Sequence, residues 1–381
     1  MIYLDNAATT FPKPAAVAER MAAAVSEFGG NPGRSSHRMA MLAEREVFAC
    51  RCDAAEMFGA RPENVVFACN ATFALNMAMK SAYTGGSILI SDLEHNSVRR
   101  PALSLTSGKP DAEVFVFDSC LESGADRTDR ILESVRSCLR RARNCGMLVM
   151  TAASNICGAS MPIREVGELC REKGITFIVD AAQAGGHRNI DVMADKIDAL
   201  CLPGHKGLYG AQGSGMMILG EKTRFSGVFA EGGSGVDSLS EKMPEVPPER
   251  YEAGTLSVPC IASLRAGMAF VRENGAETLG EREAELADIF RDALCHALGG
   301  RVKIYAAEHR GGIVLFSVSG YSAADVGAFL DDHGVYVRSG YHCSPLAHQR
   351  LGTENGAVRV SFGAFNTEDD ALETVSILRR I

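Results

Sequence analysis

The sequence predicts an α/β protein whose large domain holds a mostly parallel, seven-stranded sheet, with a smaller α+β domain beside it. From about residue 60 to residue 220, short apolar runs of strand length alternate with helical segments. The runs are continuously apolar, which is typical of parallel strands that are buried on both faces. After about residue 260, a long helical stretch precedes several short strands and a closing helix.

The alternating region supplies all the strands of the predicted large sheet. The seven predicted strands are Asn64–Ala68, Ser87–Ser91, Val114–Asp118, Leu148–Thr151, Ile175–Asp180, Ala199–Leu202 and Gly215–Leu219. A helix over Ala71–Lys80 follows the first strand. The segment Arg164–Lys173 is amphipathic, and Gly174 stands where a helix commonly ends in glycine.

The remaining segments define the rest of the architecture. Residues 231–259 are rich in Gly and Pro and are expected to form a connecting segment at the surface or at a subunit interface. A helical stretch follows through His296, and the later strands are predicted at Gly312–Val318, Val335–Val337 and Ala357–Phe362. We therefore assign residues 15–258 to the large domain, and residues 1–14 with 259–381 to the small domain.

The composition restricts the class of protein. The chain has 381 residues, 46% of them hydrophobic and 23% charged, which is ordinary for a soluble globular protein. A net charge of −8 does not favour nucleic acid or an anionic membrane as a partner. The start of the sequence lacks the features of a signal peptide, and no apolar run reaches the roughly 18 residues of a membrane span. We therefore expect a cytoplasmic protein.

The twelve cysteines do not form a repeated CxxC framework. Reduced and mostly buried thiols are therefore expected. Cys50 and Cys52 are closely spaced, but Cys-x-Cys within a predicted helix is a poor metal clamp. We predict no metal site.

Polar side chains follow five of the predicted strands at the strand ends. They are Thr72, His95, Asn155, Asp180 and Lys206. Each has a simpler explanation when it is taken alone: a solvated lysine, a helix-capping aspartate or a structural histidine. Because ligands bind at the carboxyl ends of parallel strands, their convergence on one sheet edge predicts a chemical site.

This set of groups meets the needs of a pyridoxal-phosphate (PLP) enzyme. A lysine must form an imine with the aldehyde, as Lys206 could. A carboxylate such as Asp180 must keep the pyridine nitrogen protonated, so that the ring draws electrons from the substrate Cα. The phosphate needs backbone N–H groups at a helix start, and an aromatic ring should stack on the cofactor.

Several stretches also resemble one known family. Asp180-Ala-Ala-Gln183 followed by Gly204-His205-Lys206 resembles the class-V aminotransferase superfamily of fold-type-I PLP-dependent transferases. Within it, the sequence is most similar to the cysteine desulfurases and selenocysteine lyases. Similar stretches span nearly the whole chain: Tyr3–Thr10, Asn31–His37, Ser154–Gly158, Arg250–Thr255, Arg338–Cys343, Arg359–Ser361 and Asn366–Thr367.

The resemblance implies a role for each matching residue. It implies that Lys206 is the Schiff-base lysine and moves the Cα proton, that Asp180 pairs with the pyridinium nitrogen, and that His95 stacks on the ring. The other implied cofactor contacts are Gln183 and Asn155 near the ring hydroxyl, and the Ala71 backbone, Thr72 and His205 at the phosphate. Thr255 would reach the phosphate of a neighbouring subunit, which implies a homodimer. The implied substrate-binding residues are Arg359 for the carboxylate, Asn155 and His37.

Cys343 decides the predicted reaction. It lies in a polar, Gly-containing stretch beside His342, with Arg338 close in sequence, and a positive neighbourhood favours a reactive thiolate. The prediction is a cysteine desulfurase that converts L-cysteine to L-alanine. The substrate sulfur forms a persulfide on Cys343 and then passes to an acceptor protein. The loop around Cys343 has no long insertion, which resembles the desulfurases that depend on a partner to remove the sulfur.

Two positions depart from the family pattern. Pro203 stands where the family often has Ser or Thr, so a hydroxyl for the phosphate is missing, and proline offers no N–H. Gly207 lies between Lys206 and Leu208 and varies the usual spacing. We therefore expect the cofactor contacts near Pro203 to differ from those of the family.

Three alternatives remain open. A selenocysteine lyase or another class-V PLP aminotransferase or lyase shares most of these motifs. A nucleotide-binding protein is disfavoured because the glycine-rich Gly210–Gly215 precedes a predicted strand and there is no GxxxxGK[ST]. A non-enzymatic scaffold is hard to reconcile with an intact set of site residues.

Overall fold

A computed structural model describes residues 1–33, 36–122, 124–142, 144–236, 238–306, 308 and 311–381. Its strands are β1 (Ile2–Tyr3), β2 (Val65–Ala68), β3 (Ser87–Ser91), β4 (Val114–Phe117), β5 (Cys145–Thr151), β6 (Thr176–Asp180), β7 (Ala199–Pro203), β8 (Gly215–Leu219), β9 (Val302–Tyr305), β10 (Ile313–Val318), β11 (Val335–Tyr336), β12 (Arg338–Gly340) and β13 (Ala357–Ser361).

The helices of the described residues are α1 (Ala15–Ser26), α2 (Arg38–Met57), α3 (Ala71–Ala82), α4 (Asn96–Thr106), α5 (Arg127–Arg141), α6 (Ile163–Lys173), α7 (Val258–Asn274), α8 (Ala276–Leu298), α9 (Ala323–Asp332), α10 (Pro345–Leu351) and α11 (Glu368–Leu378). Two short 3-10 turns cover Pro62–Asn64 and Gly299–Arg301.

The large sheet has the seven strands that the sequence predicts, in the order β2-β8-β7-β6-β5-β3-β4. Strands β7, β6, β5, β3 and β4 run parallel, and β8 runs antiparallel to both of its neighbours. The strands β3, β7 and β8 are buried along their whole length. Helices on both faces cover the sheet, which explains why its strands read as continuous apolar runs.

The strand β8 returns directly from the end of β7. Pro203 pairs with Gly215, so residues 204–214 form a loop whose two ends lie side by side at the sheet edge. The carboxyl ends of β5, β6 and β7 lie at this same edge because the three strands are parallel. The glycine-rich Gly210–Gly215 leads directly into β8, as the sequence predicts.

A second sheet of four strands, in the order β12-β13-β10-β9, is antiparallel throughout. Its apolar face packs with α8, α9 and α11 around Phe290 and Phe316, which are both fully buried. The strand β1 pairs in parallel with β11, which joins the start of the chain to this region. The helix α7 instead packs against α1 and α2. The exact domain boundary at residue 258 stays a prediction.

The sequence missed several short elements of the later part. It did not predict β9, β12, α9 or α10, and it treated α7 and α8 as one helical stretch. Gly275, which has a φ of +80°, separates those two helices. Residues 231–236 and 238–257 contain no helix or strand, in agreement with the predicted connecting segment, but α7 begins at Val258, one residue before the predicted end of that segment at residue 259. No helix in the described part of the chain is both long and apolar enough to cross a bilayer.

Candidate active site

A cavity of about 100 Å³ opens at the carboxyl ends of β5, β6 and β7. Its walls are formed by Asn70, Ala71, Thr72, His95, Ser97, Thr151, Ala153, Asn155, Asp180, Ala182, Gln183, Pro203, His205 and Lys206. Eight of the predicted site residues are in this set: Ala71, Thr72, His95, Asn155, Asp180, Gln183, His205 and Lys206. The convergence of strand-end side chains that the sequence predicts is therefore present in the structure.

Lys206 and Asp180 carry the main charges of the cavity. Asp180 ends β6 and is buried, and its Oδ1 accepts a 2.9 Å hydrogen bond from the Ala182 N–H. Burial raises the pKa of Asp180, and the Ala182 bond and the charge of Lys206 oppose that shift. Burial lowers the pKa of Lys206 to about 8, while Asp180 opposes the decrease. Lys206 is therefore nucleophilic closer to neutral pH than an exposed lysine.

His95 is held in one tautomer at the cavity wall. The Ser97 N–H donates to His95 Nδ1 at 3.0 Å, so the ring proton of the neutral imidazole lies on Nε2. Burial lowers the pKa of His95 to about 4, and the positive charge of Lys206 adds to the decrease. A neutral ring at this position can stack on an aromatic ligand without carrying a charge.

Ser97 is a site residue that the sequence did not indicate. Its Oγ lies 2.7 Å from His95 Nδ1 and 2.7 Å from Thr72 Oγ1, so one hydroxyl links two predicted cofactor residues. The signal for it was its place two residues after His95 at the start of α4. A serine at a helix start usually indicates no more than a cap.

The N-terminus of α3 forms one end of the cavity. Asn70 caps this helix by accepting from the Phe73 N–H at 2.8 Å, and Ala71 and Thr72 form its first turn. The first N–H groups of a helix have no intrahelical partner and lie at the positive end of the helix dipole. They therefore suit a phosphate. Pro203 also lines this cavity, and it brings neither a hydroxyl nor an N–H to it.

His205 is tied to the start of the chain. Its carbonyl oxygen accepts from Lys13 Nζ at 2.7 Å and from the Thr10 N–H at 3.2 Å. Its Nδ1 lies 3.1 Å from Thr9 Oγ1, and burial lowers the pKa of its imidazole to about 4. The opening motif of the sequence therefore acts by holding the loop that carries Lys206.

Gly207 is required by a close approach of two backbone segments. A Cβ at Gly207 would lie 2.3 Å from the Gly185 carbonyl oxygen, and a Cβ at Gly186 would lie 2.0 Å from the Gly207 oxygen. No side chain fits at either position. The residue that varies the family spacing thus lets the Lys206 loop pack against the turn after Gln183.

Arg359 is almost completely buried beside the cavity. Its Nη2 donates to Asp5 Oδ1 at 2.7 Å, and its Nη1 donates to the Asn155 carbonyl oxygen at 2.9 Å. Its Nε has no hydrogen-bond partner among the described residues. A buried donor without a partner is costly, and a carboxylate is a strong acceptor for it. Asp5, which orients the guanidinium, was not predicted as a site residue.

Cys343 lies next to the cavity, in the wall of an adjoining groove. The groove of about 400 Å³ shares Thr72, His95 and Ser97 with the cavity, and the Cys343 thiol is exposed. The Cys343 carbonyl oxygen accepts from the Asn96 N–H at 2.8 Å, which places the cysteine turn beside His95. Arg338 Nη2 lies 3.7 Å from Cys343 Sγ, so the predicted cationic neighbour is in contact with the sulfur.

The turn that carries Cys343 is fixed by Asn155. The Asn155 Nδ2 donates to the His342 carbonyl oxygen at 2.9 Å, and its Oδ1 accepts from Ser344 Oγ at 2.8 Å. Both ends of the amide are therefore used by residues that flank Cys343. The sequence predicted Asn155 as a contact of the cofactor and the substrate, and it did not indicate this link.

Two predicted residues lie away from the cavity in this chain. Thr255 is on an exposed loop, and His37 is exposed and caps α2 by accepting from the Ala40 N–H at 3.3 Å. Neither lines the cavity, so their roles stay predictions. Arg34 and Ser35 of the predicted early loop lie outside the described residues.

The described residues contain no cluster of three or more His, Cys, Asp or Glu side chains that could hold a metal ion. Cys50 is buried, and burial raises its thiol pKa. A buried, protonated thiol is a poor metal ligand.

Comparison with known proteins places this geometry in a family. A family model described as aminotransferase class-V matches residues 2–373. A cysteine desulfurase from Cronobacter sakazakii is 30% identical over 392 residues, which cover 100% of this chain and 93% of that protein. A probable cysteine desulfurase from Pyrococcus abyssi is 28% identical over 395 residues, which cover 100% of this chain and 94% of that protein.

Solved structures agree with the sequence comparison. The apo structure of a cysteine desulfurase from Thermococcus onnurineus NA1 superposes with a TM-score of 0.89 at 28% identity, and the match covers 100% of this chain and 94% of that one. The predicted fold-type-I architecture is thereby confirmed. The chain belongs to the aminotransferase class-V family, among relatives that carry the name cysteine desulfurase.

Proposed function

We propose that the protein is a PLP-dependent cysteine desulfurase that converts L-cysteine to L-alanine and carries the sulfur as a persulfide on Cys343. The observation that carries the proposal is the exposed Cys343 thiol, in contact with Arg338 and beside the wall of the Lys206 cavity. The names of the full-length relatives support the same activity.

The cavity residues fit PLP. The first turn of α3 suits the phosphate, and the buried Asp180 carboxylate suits a protonated pyridine nitrogen, since a cation there offsets the cost of burying its charge. His95 supplies a neutral ring for stacking, and Lys206 supplies the amine. When bound, PLP withdraws electrons from the substrate Cα and so weakens its bonds.

The residues around the cavity bind the substrate carboxylate, move the Cα proton and confine the ligand ring. Arg359 receives the substrate carboxylate through the guanidinium that Asp5 orients. Lys206, whose pKa of about 8 lies near neutral pH, takes the Cα proton at Nζ and returns it during the reaction. His95 stays neutral because of its low pKa and confines the ligand ring.

The sulfur step belongs to Cys343. Its thiolate attacks the substrate sulfur, an S–S bond forms, and the Cβ–S bond breaks. The electron pair of that bond passes to the substrate carbon, which takes up a proton and leaves as L-alanine. The balance is one L-cysteine and one thiol giving one L-alanine and one persulfide, with no external oxidant.

The proposal also includes a sulfur acceptor, a homodimer and a cellular location. A thiol-bearing acceptor protein removes the sulfur, which the exposure of Cys343 allows. A homodimer completes the site if Thr255, exposed on its loop, reaches the phosphate of the neighbouring subunit. We further propose residues 15–258 as the cofactor-binding domain and the cytoplasm as the site of action.

Two measurements test the proposal. Borohydride reduction of the yellow protein followed by peptide mapping should fix the cofactor on Lys206, with Lys206→Ala unlabelled and the exposed control Lys80→Ala labelled normally. Cys343→Ser should keep the bound cofactor and lose persulfide and alanine production from L-cysteine. Persistent desulfuration in Cys343→Ser would refute the role of the thiol. Parallel assays with L-selenocysteine separate a lyase, which would release selenium without Cys343.

A further inference from the structure

Ser344 holds an unusual position directly after the nucleophile. It stands at the N-cap of α10, where a serine side chain normally accepts from an N–H of its own helix. The structure shows no such capping bond, and the Ser344 hydroxyl donates instead to Asn155 Oδ1 at 2.8 Å. Ser344 is completely buried, so this hydroxyl has given up its usual local role for a contact 189 residues away in sequence.

Two contacts together fix the orientation of the Asn155 amide. The His342 carbonyl oxygen can only accept, so the amide nitrogen must face it, and the amide oxygen on the other side accepts from the Ser344 hydroxyl. Nδ2 donates to the His342 carbonyl oxygen at 2.9 Å. Ser344 and His342 are the two neighbours of Cys343, so one side chain from the cofactor cavity ties the cysteine on both sides.

The backbone at Cys343 needs such a tie. His342 has a φ of +49° and Cys343 a φ of +60°, and both lie in the left-handed region that residues other than glycine rarely adopt. Consecutive residues in this region persist only where the surroundings hold them. The Asn155 clamp, which we define as the two hydrogen bonds of the Asn155 amide to His342 and Ser344, holds the carbonyl group between this pair and the side chain of the residue that follows it.

The clamp also connects the nucleophile to the substrate end of the cavity. The carbonyl oxygen of Asn155 accepts from Arg359 Nη1 at 2.9 Å, while its side chain holds the cysteine turn. The same residue therefore sets the relative positions of the substrate-carboxylate group and the thiol. Sulfur transfer depends on that relative position, whereas proton movement at Cα does not.

We propose that Ser344 is a positioning residue for Cys343, acting through the Asn155 amide to hold the thiol in the left-handed turn where it can reach the substrate sulfur. The inference rests on the proposed function, because it concerns the desulfurase reaction. It separates the steps of that reaction: Ser344 serves the attack on sulfur and leaves the Cα chemistry of Lys206 untouched.

The test is Ser344→Ala, which removes one oxygen and leaves no buried charge behind. The matched control is Ser322→Ala, because Ser322 caps α9 in a conventional capping box on the exposed surface. Three quantities are measured on each protein: single-turnover persulfide formation on Cys343, deuterium exchange at Cα of L-alanine, and amide hydrogen exchange of residues 338–348 in the cofactor-free protein.

In Ser344→Ala we expect persulfide formation to fall about tenfold or more, while Cα exchange stays within about twofold of the wild type. Amide exchange over residues 338–348 should rise about fivefold or more, with the remainder of the protein unchanged. Ser322→Ala should show none of these changes.

Other results overturn the inference. Persulfide formation within about twofold of the wild type would show that the hydroxyl does not position the thiol. A parallel loss of Cα exchange would show a general structural role. Unchanged amide exchange would show that Ser344 does not hold the turn. If the wild type makes no persulfide, the proposed function fails instead, and the amide exchange still decides whether Ser344 holds the turn.

Discussion

Arg338 Nη2 lies 3.7 Å from Cys343 Sγ, and Arg338 pairs with Arg359 across the neighbouring strands β12 and β13. The cation next to the sulfur and the cation that we propose for the substrate carboxylate are thus fixed in one register.

Replacing Arg338 should slow the reactions of the thiol. Arg338→Gln removes the positive charge that faces the sulfur, and we expect alkylation of Cys343 by iodoacetamide at pH 7 to slow about two- to fivefold, as for a partly exposed charge pair. Arg338→Lys, which keeps the charge, should retain most of the rate. Equal rates in Arg338→Gln and the wild type would show that this contact does not activate the sulfur.

The pH dependence of cofactor uptake should report the pKa of Lys206. Burial lowers this pKa to about 8, so the neutral amine that attacks the aldehyde becomes the major form as the pH rises through about 8. Asp180 opposes that decrease, and Asp180→Asn should therefore move the midpoint to lower pH. The measurement is the rate of absorbance change on adding PLP to cofactor-free protein from pH 6 to pH 10. A midpoint near the ordinary lysine value would contradict the buried environment.

Pro203 should weaken the hold on the cofactor phosphate. Pro203→Ser adds a hydroxyl to the cavity wall, and a hydrogen bond to a charged phosphate should slow cofactor release about tenfold. Pro203→Ala is the matched control, because it removes the ring without adding a donor. The rate of cofactor release is measured after each cofactor-loaded protein is diluted into an excess of cofactor-free protein. Equal release from the Ser and Ala variants would mean that position 203 does not face the phosphate.

The buried ion pair between Arg51 and Glu252 should make a large contribution to the free energy of unfolding. Arg51 Nη1 donates to Glu252 Oε1 at 2.8 Å, and Oε1 also accepts from the Phe67 N–H at 2.6 Å. Glu252→Ala leaves a buried guanidinium without its partner, and we expect a loss of about 3–5 kcal/mol in the free energy of unfolding.

The exposed pair Arg61–Glu221 provides the comparison. Its side chains are 62% and 32% exposed, against 9% and 7% for Arg51 and Glu252. Glu221→Ala should therefore cost no more than about 1 kcal/mol. The double variant Arg51→Met/Glu252→Leu should recover most of the loss of Glu252→Ala. Denaturant titration decides, and a loss in Glu252→Ala as small as that in Glu221→Ala would refute the argument.

The large sheet was predictable because its strands are apolar without interruption. Such a run, as in Ser87–Ser91, indicates a strand that is buried on both faces of a parallel sheet. The strand Arg338–Gly340 was missed because its three residues are polar or glycine and carry no apolar pattern. Its place follows from pairing with Ala357–Ser361, a contact that local sequence does not express.

The side chains of the candidate site that lie at strand ends were also predictable. Asp180 ends β6 and Lys206 comes shortly after β7, so topology alone brings them to one edge. Asp5 and Ser344 could not be found in this way, because each acts through a partner more than 180 residues away in sequence. Thr255 and His37 do not line the cavity of this chain, so their predicted contacts stay predictions.

The pairing of Pro203 with Gly215 has a consequence for the chain entropy of the Lys206 loop. Residues 204–214 begin and end on adjacent strands, so the large sheet closes this loop when it forms. The entropic cost of closing a loop is met by the contacts that join its ends, and here those contacts belong to two fully buried strands. The position of Lys206 is thus set by the strands at the ends of the loop more than by the conformation of its own turn. The glycines near Lys206 can therefore be used where two backbone segments approach closely.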